Sequence, residues 1–349
     1  MTAYQNFRES LQAKADVSSI PLHGHFELTF RCNLSCIHCY IAQDAQKEEL
    51  SYREVVKILD EIQEAGCLWL TITGGEPLLR DDFLDIYAYI KKKGFLVNIF
   101  TNAALVTPQI ADYLEEFPAH MIEVTLNGIT KDVYEGITRV PGSFSKCMQG
   151  IQLLLERNIR LTLKSVGMSV NLSEIPKIKE YVKSLRKVEY RYDSIIVPKL
   201  DGSPETCNLR LSADEIIAIE YSDPDMRQEW KACLEKGCDG WDSDLLFRCQ
   251  EGLFNINPYG ELQFCYAMRD ANFDLRLGSF KEGFAYLVAK NKAAKFKTNS
   301  PCKDCKIWSI CATCPGRAWL ETGNPEQPVD FFCQLAKKRE SMKHLLYEK

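Results

Sequence analysis

The chain has 349 residues, 46% of them hydrophobic and 26% charged, with a formal net charge of −5. That length can bury a large core and exceeds one average domain, and the acidic balance gives no support to a nucleic-acid or anionic-membrane partner. No apolar run approaches the ~18 residues of a membrane span. The first residues lack an apolar signal core, so 15 Cys point to a reducing, cytoplasmic setting and to metal ligation instead of disulfides.

Residues 1–24 are polar and read as an N-terminal extension. Residues 25–31 predict a strand, with Phe26, Leu28 and Phe30 alternating with His25, Glu27 and Thr29. A loop spaced Cys32-x₃-Cys36-x₂-Cys39 follows directly. Residues 51–65 predict a helix: Ser51 and Glu54 make a capping box, Val55, Ile58, Leu59 and Ile62 share a face, and Gly66 ends it. Residues 67–73 predict a buried strand running into Gly74-Gly75-Glu76-Pro77. Phe83, Ile86, Tyr87 and Ile90 mark a helix, and 95–100 a strand running into Thr101-Asn102. Thr107-Pro108 starts the next helix, as cap and first helical residue. Residues 121–126, 159–166 and 188–198 read as strands and 143–158 and 173–185 as helices, with Thr125 and Asn127-Gly128 closing the first of these strands. Strands alternating with helices are the pattern of parallel β/α units, whose functional loops lie at the strand C-terminal ends. The three-Cys loop, the Gly-Gly-Glu-Pro turn, Thr101-Asn102 and Asn127-Gly128 all fall there. Beyond Pro198 the alternation stops, residues 211–237 read as helical, and from Cys249 seven cysteines dominate.

Three thiolates within eight residues can hold three corners of a [4Fe–4S] cube, leaving the fourth iron without a protein ligand. An iron with an open position can bind a small molecule. A zinc site using His38 as a fourth ligand, or buried structural thiols, are the other readings of this spacing. The glycines of Gly74-Gly75-Glu76-Pro77 admit a close backbone approach; a strand-to-helix turn with a solvent-facing Glu76 is the plain alternative.

Taken together, Cys32, Cys36, Cys39 and the Gly-Gly-Glu-Pro turn resemble the radical S-adenosylmethionine (SAM) superfamily through residue 200. The resemblance implies an α/β fold: a partial (β/α)6 barrel of radical SAM type at 25–210 and a helical bridge at 211–248. It implies that Gly74, Gly75, Glu76 and Pro77 receive the SAM amino group and that Thr101, Asn102, Thr125 and Asn127 contact its ribose and carboxylate. Arg139 would pair with that carboxylate, and His38 would lend its backbone to adenine. Asn127 and Ala103 stand where many relatives have Asp and Gly.

Cys249, Gly260 and Cys265, then Cys302-x₂-Cys305-x₅-Cys311-x₂-Cys314 and Cys333, resemble the SPASM extension of peptide-modifying radical SAM enzymes. This implies a small cysteine-rich iron–sulfur domain at 249–349 ending in a helix, with two auxiliary clusters. One would use Cys302, Cys305, Cys311 and Cys333. The other would use Cys249, Cys265 and Cys314, with Cys238, backed by Cys233, as fourth ligand, or an open iron. The last spacing of the clustered four is two residues where three is usual. Two zinc knuckles remain the plain alternative. Cys207, after the last barrel strand, is a candidate hydrogen donor to a substrate radical, whereas Cys67 and Cys147 read as buried thiols. Lys281, Lys290, Lys292, Lys295 and Lys297 read as a solvated face.

The resemblance implies an enzyme that cleaves SAM to a 5′-deoxyadenosyl radical and abstracts hydrogen from a ribosomally made peptide, giving a crosslinked, excised or epimerised product. Residues 1–24 are too short for a fused leader-binding domain, so a separate leader-binding protein is expected, together with a flavodoxin- or ferredoxin-type reductant. A sulfatase maturase is less favoured, because Tyr266 stands where those enzymes place a basic Asp. A small-molecule cofactor-pathway enzyme and a non-enzymatic iron–sulfur or zinc protein are the other readings.

Overall fold

The computed structural model describes residues 10–11, 14, 19–42, 46–236, 244–249, 252–268 and 271–346, so Cys238 lies outside the described residues. The chain divides into two compact units: Met1–Ser165, Ser173–Tyr192 and Cys249–Lys290 in the first, and Val166–Leu172, Asp193–Arg248 and Asn291–Lys349 in the second.

The first unit holds one nine-stranded sheet. Its strands are β1 (His23–Thr29), β2 (Trp69–Gly74), β3 (Leu96–Thr101), β4 (Met121–Thr125), β5 (Leu161–Val166), β6 (Val188–Asp193), β7 (Leu253–Ile256), β8 (Glu261–Gln263) and β9 (Asn272–Asp274), in the order β6-β5-β4-β3-β2-β1-β7-β8-β9. The recorded pairings from β5 to β7 are parallel, and β8 and β9 add antiparallel. Helices α1 (Tyr52–Glu64), α2 (Phe83–Lys92), α3 (Pro108–Glu116), α4 (Lys131–Thr138), α5 (Ser143–Glu156) and α6 (Ile175–Ser184) alternate with the strands.

The two faces of the sheet differ in chemistry. Phe26, Leu28, Ile72, Ile99, Val124 and Leu163 are buried to 1% exposure or less and form the apolar face. The opposite face is more polar: His25, Thr71 and Asn98 are in register, as are Glu123 and Thr162, with Phe100 and Met121 between them. Burying the apolar face against amphipathic helices drives assembly, at roughly 25 cal/mol per Å². Helix α1 shows how: the Ser51–Glu54 capping box forms in full, and Val55, Ile58, Leu59 and Ile62 are its buried face. Thr107 caps α3 at Ile110 N–H, with Pro108 inside the first turn.

Three features differ from the sequence expectation. Helix α4 was not anticipated. The sixth strand ends at Asp193, five residues early, where the chain passes into the second unit. Strands β7 to β9 were also not anticipated, and β7 pairs parallel with β1 (His25 with Asn255), so these three strands extend the first unit's sheet.

The second unit packs α7 (Ala213–Ser222), α8 (Pro224–Lys236), α10 (Pro315–Thr322) and α11 (Asp330–Ser341); α9 (Phe280–Ala293) ends where it begins. Leu211, Ile216, Ile217 and Leu335 form one core cluster, and Ala318, Val329 and Phe332 another. Arg339 and Glu220 make a bidentate pair at 2.5 and 3.0 Å with both side chains under 5% exposed, and the guanidinium lies 3.8 Å from the Trp230 ring centre. Arg210 clamps Glu321 in the same way at 2.6 and 2.8 Å and lies over Phe331 and Phe332.

Removing Glu220 strands a buried guanidinium. Glu220→Ala is therefore expected to cost about 3–5 kcal/mol in chemical denaturation, whereas a paired, volume-matched apolar replacement of both residues costs far less. A second expectation concerns pH. Arg276 and then Ser51 hold the Glu54 carboxyl at about 2, below its ordinary 4.5. A depressed carboxyl stabilises the fold fully above 4.5, and that contribution is lost as pH falls through about 2. Glu54→Gln should lower the thermal midpoint at neutral pH and flatten its decline between pH 4.5 and 2.

Candidate functional site

Four segments of the first unit converge on the cysteine loop. The turn after β2 bends back onto the end of β1: Gly75 N–H donates to Thr29 O at 2.7 Å and Glu76 N–H to Arg31 O at 3.0 Å. A Cβ on Gly74 would lie 2.2 Å from Thr29 O, and one on Gly75 2.2 Å from Arg31 O. Gly74 also sits at φ +126°, which L-residues avoid. On the other side, the Glu49 carboxylate accepts from Thr29 Oγ1 and Phe30 N–H, each at 2.8 Å. A cavity of about 640 Å³ lined by Phe30, Arg31, Lys47, Glu49, Arg80 and Tyr259 flanks these supports.

Glu76 is fully buried and is not the solvent-facing carboxylate of an ordinary turn. Its Oε1 accepts from Thr101 Oγ1 at 2.8 Å and Leu78 N–H at 3.2 Å, and its Oε2 from Asn102 N–H at 2.7 Å. Burial pushes this carboxyl up to about 7 against those three donors. Asn102 continues the chain of contacts: its Nδ2 donates to Asn33 Oδ1 at 2.8 Å and lies 3.8 Å from Cys32 Sγ. Leu34 N–H also points to Cys32 Sγ, at 3.4 Å. The unanticipated α4 supplies the fourth support, its C-terminal carbonyls of Thr138 and Ile137 accepting from Ser35 N–H and Ile37 N–H at 2.9 and 3.0 Å.

The thiols of this loop feel one another. Burial pushes Cys32 up to about 11 and Cys36 to about 12, with the charge of the neighbouring thiols adding to the rise in both. His38 is neutral, lowered to about 4 by burial and then by Lys164, and its Nε2 lies 3.2 Å from Asn127 Nδ2. Its Nδ1 is buried without a partner. Asn127 is 3% exposed just beyond Thr125, the last residue of β4. Arg139 is the left-handed C-cap of α4, at φ +59°, with its side chain exposed beside the loop's anchor. Tyr40, after Cys39, packs at 5.0 Å on Tyr266, after Cys265.

In the second unit, Cys302, Cys305, Cys311 and Cys333 form a second group. Cys311 feels Cys333, Cys305 and Cys302, and Cys333 feels Cys302 and Cys305; burial is the larger cause of the rise in both. Cys314 is the N-cap of α10, and Cys233 is exposed on α8. Cys249, exposed, and Cys265, partly buried, belong to the first unit. Cys207 lies in the second unit, its thiol raised by burial, with Arg210 and Glu321 acting on it in opposite directions.

None of the described cysteines is in a disulfide. Among the described residues no three His, Cys, Asp or Glu side chains converge on a single metal ion. The orphaned His38 Nδ1 and the N–H donors facing Cys32 sulfur are groups chemically suited to a thiolate-bound cluster and a polar ligand.

A parallel α/β sheet with a three-thiol loop at its strand ends defines the class, an iron–sulfur protein of partial-barrel type. Residues 26–182 match the Radical SAM superfamily model, and this stretch is a radical SAM domain. The family uses a [4Fe–4S] cluster and SAM. The chain is 25% identical over 332 residues to the AdoMet-dependent heme synthase of Methanosarcina barkeri, covering 86% of this chain and 92% of that one. It is 24% identical over 360 residues to the PqqA peptide cyclase of Bradyrhizobium diazoefficiens, covering 96% and 91%. The fold matches Streptococcus suis SuiB bound to S-adenosylmethionine with TM-score 0.72 at 18% identity, over 95% of this chain and 82% of that one.

Asn33, Glu49, Ile137 and Thr138 were missed by sequence reasoning. Asn33, a polar residue between two loop cysteines, carried a usable signal; the other three act through backbone geometry or from distant segments. Two substitutions test the anchoring. Gly75→Ala forces a clash with backbone and is expected to cost about 1–3 kcal/mol or more. Glu76→Gln sets an NH₂ against an N–H or O–H donor and should cost about 1–3 kcal/mol. Both are read by denaturant unfolding and by iron retained per chain.

Proposed function

We propose that the protein is a SAM-cleaving enzyme that modifies a ribosomally made peptide. The observation that carries this is the anchored assembly of Cys32, Cys36 and Cys39 against Gly74–Pro77, Thr101 and Asn102. Cys32, Cys36 and Cys39 would hold the cluster. Gly74, Gly75, Glu76, Pro77, Thr101, Asn102, Thr125, Asn127, Arg139 and the His38 backbone would hold SAM. When bound, cluster and SAM together supply a 5′-deoxyadenosyl radical that takes hydrogen from an unactivated C–H bond.

The chain's own groups do the rest. Asn102 Nδ2 and Leu34 N–H face Cys32 sulfur, and such donors raise a cluster's potential. Glu76 fixes the β3 end relative to the loop. His38, neutral and packed on Asn127, adds no charge beside the cofactor. Cys302, Cys305, Cys311 and Cys333 would hold one auxiliary [4Fe–4S] cluster. Cys249, Cys265 and Cys314 are left for another, with Cys238 or an open iron completing it. When bound, the auxiliary clusters would supply a sink for the electron released when a substrate radical closes a bond.

Similarity to the PqqA peptide cyclase and to SuiB, also solved bound to precursor peptide SuiA, supports a peptide substrate. The product class is crosslinked, excised or epimerised, with Cys207 as hydrogen donor in the last case. A separate leader-binding protein and a flavodoxin- or ferredoxin-type reductant are its proposed partners, in the cytoplasm. Among the described residues no helix is long and apolar enough to cross a membrane. The match to a heme synthase along most of both chains favours a second reading, a tetrapyrrole or similar small molecule.

Anaerobic reconstitution should give roughly 12 Fe per chain if all three cubes form. SAM plus dithionite should then release 5′-deoxyadenosine, and Cys36→Ala should abolish that release. Four Fe with two Zn would remove the auxiliary clusters, and no 5′-deoxyadenosine would remove the enzyme. Mass spectra of short peptides encoded beside the gene decide the substrate. A loss of two hydrogens means a crosslink, and one deuterium gained in D₂O means epimerisation. Unchanged peptides beside steady 5′-deoxyadenosine release would transfer the case to the small molecule.

A further inference from the structure

Arg248 is placed by local pairing in the second unit, at the opposite end of the chain's numbering from the SAM site. Residues 244–246 run antiparallel to 294–296: Phe296 N–H donates to Asp244 O at 2.9 Å, Leu246 N–H to Ala294 O at 3.0 Å, and Leu245 bridges Lys295. This brings the Arg248 guanidinium among the Cys302–Cys311 turns. Its Nη2 donates to Lys303 O at 2.6 Å, directly beside Cys302. Its flat face lies 5.4 Å from the Trp308 ring centre, between Cys305 and Cys311 in sequence, and 5.9 Å from that of Phe296. Lys303 itself turns away to Asp244 at 2.8 Å. Carbonyl, indole and phenyl therefore fix one guanidinium, half-buried, over the turns that carry three of four thiols in one group.

We propose that Arg248 is a positioning and tuning residue that sets the reduction potential of the auxiliary cluster held by Cys302, Cys305, Cys311 and Cys333. This rests on the reading that those four cysteines bind a cluster. Gaining one electron adds one negative charge to a cube already made anionic by four thiolates. A fixed cation nearby stabilises the reduced form more than the oxidised one and raises the potential; net charge and hydrogen bonding to sulfur are the levers that set it. No proton moves in this role, because a guanidinium stays charged throughout the working range. The arrangement would make this cluster the readier acceptor for the electron a substrate radical gives up. A stem of Lys reaches the same place but cannot stack or bond with a planar fork.

The test uses the full reconstituted enzyme without substrate. The auxiliary signal is identified by electron paramagnetic resonance as the one that Cys302→Ala abolishes. Its midpoint is then titrated in wild type, Arg248→Gln and Arg248→Lys, at equal iron content. Arg248→Gln should shift the midpoint to more negative potential by the same amount at pH 7 and pH 8.5, and Arg248→Lys should stay near wild type. A full-iron Arg248→Gln enzyme with the wild-type midpoint overturns the proposal. Equal shifts in Gln and Lys overturn it too, since packing and not charge would then be responsible. Loss of the cluster's iron in both variants assigns Arg248 a purely structural part and also overturns it. A Cys302→Ala enzyme that keeps every signal and all its iron would instead remove the underlying cluster reading.

Discussion

Two backbone hydrogen bonds, from Gly75 and Glu76 to the carbonyls of Thr29 and Arg31, support everything else at the site. Neighbouring parallel strands ordinarily leave their last carbonyls to water or to loops. Here the β2 turn folds back over the end of β1 and takes them, at a distance that excludes any Cβ on either glycine. Glu49 secures the same strand end from the opposite side. The cysteine loop therefore leaves a rigid stem, and its own backbone is then pinned a third time by the α4 carbonyls. Glu76 extends this frame to β3 through Thr101 and Asn102. Preorganisation of this kind matters because ligands held a fraction of an ångström wrong lose both metal affinity and chemistry.

The electrostatics work in the opposite direction from the packing. Burial favours neutral thiols, and mutual repulsion strengthens that preference at Cys32 and Cys36. Cluster loading must therefore drive protons off, so metal binding and deprotonation are one coupled event. The N–H groups of Leu34 and Asn102 facing Cys32 sulfur already lean toward the thiolate. The same tension recurs in the second unit at Cys311 and Cys333, where buried thiols sit in one another's field. Two separate places thus hold partly buried thiols in one another's field.

The parts legible in the sequence are those where one local rule suffices. Alternating Phe26 and Leu28 in β1, the Ser51–Glu54 box and the Thr107-Pro108 start all encode their structure within a few residues. Helix α4 has eight residues, and its N-cap Thr130 makes no side-chain cap bond, so it carries little local signal. Strands of three or four residues such as β7, β8 and β9 are too short to show a period of two. The pairing of β7 with β1 joins segments separated by most of the chain, and no window of sequence contains it. At the site, residue types with unusual chemistry were visible, namely the cysteines and glycines. Partners acting through ordinary backbone groups, such as Ile137 and Thr138, were not, because any residue offers a carbonyl.

The polar face of the sheet deserves a physical explanation of its own. Parallel strands in a closed eight-stranded barrel fill the interior with branched apolar side chains, and buried parallel strands read as hydrophobic on both faces. Here the register instead aligns Asn98, Thr71, His25, Asn255 and Gln263 in one row across five neighbouring strands. Asn255 Nδ2 donates to Glu27 Oε2 and Gln263 Oε1, at 3.0 and 3.2 Å, while Gln263 Nε2 and Asn98 Oδ1 are buried without a partner. An interior of this composition cannot collapse into a dry core, since each unpaired buried polar atom costs about 1–3 kcal/mol. It must hold water or a polar ligand. The same alternation that buries Phe26 in the apolar face therefore places His25 and Glu27 on the polar one. One face of each strand stabilises the fold, and the other carries the polar groups that water or a polar ligand would pair.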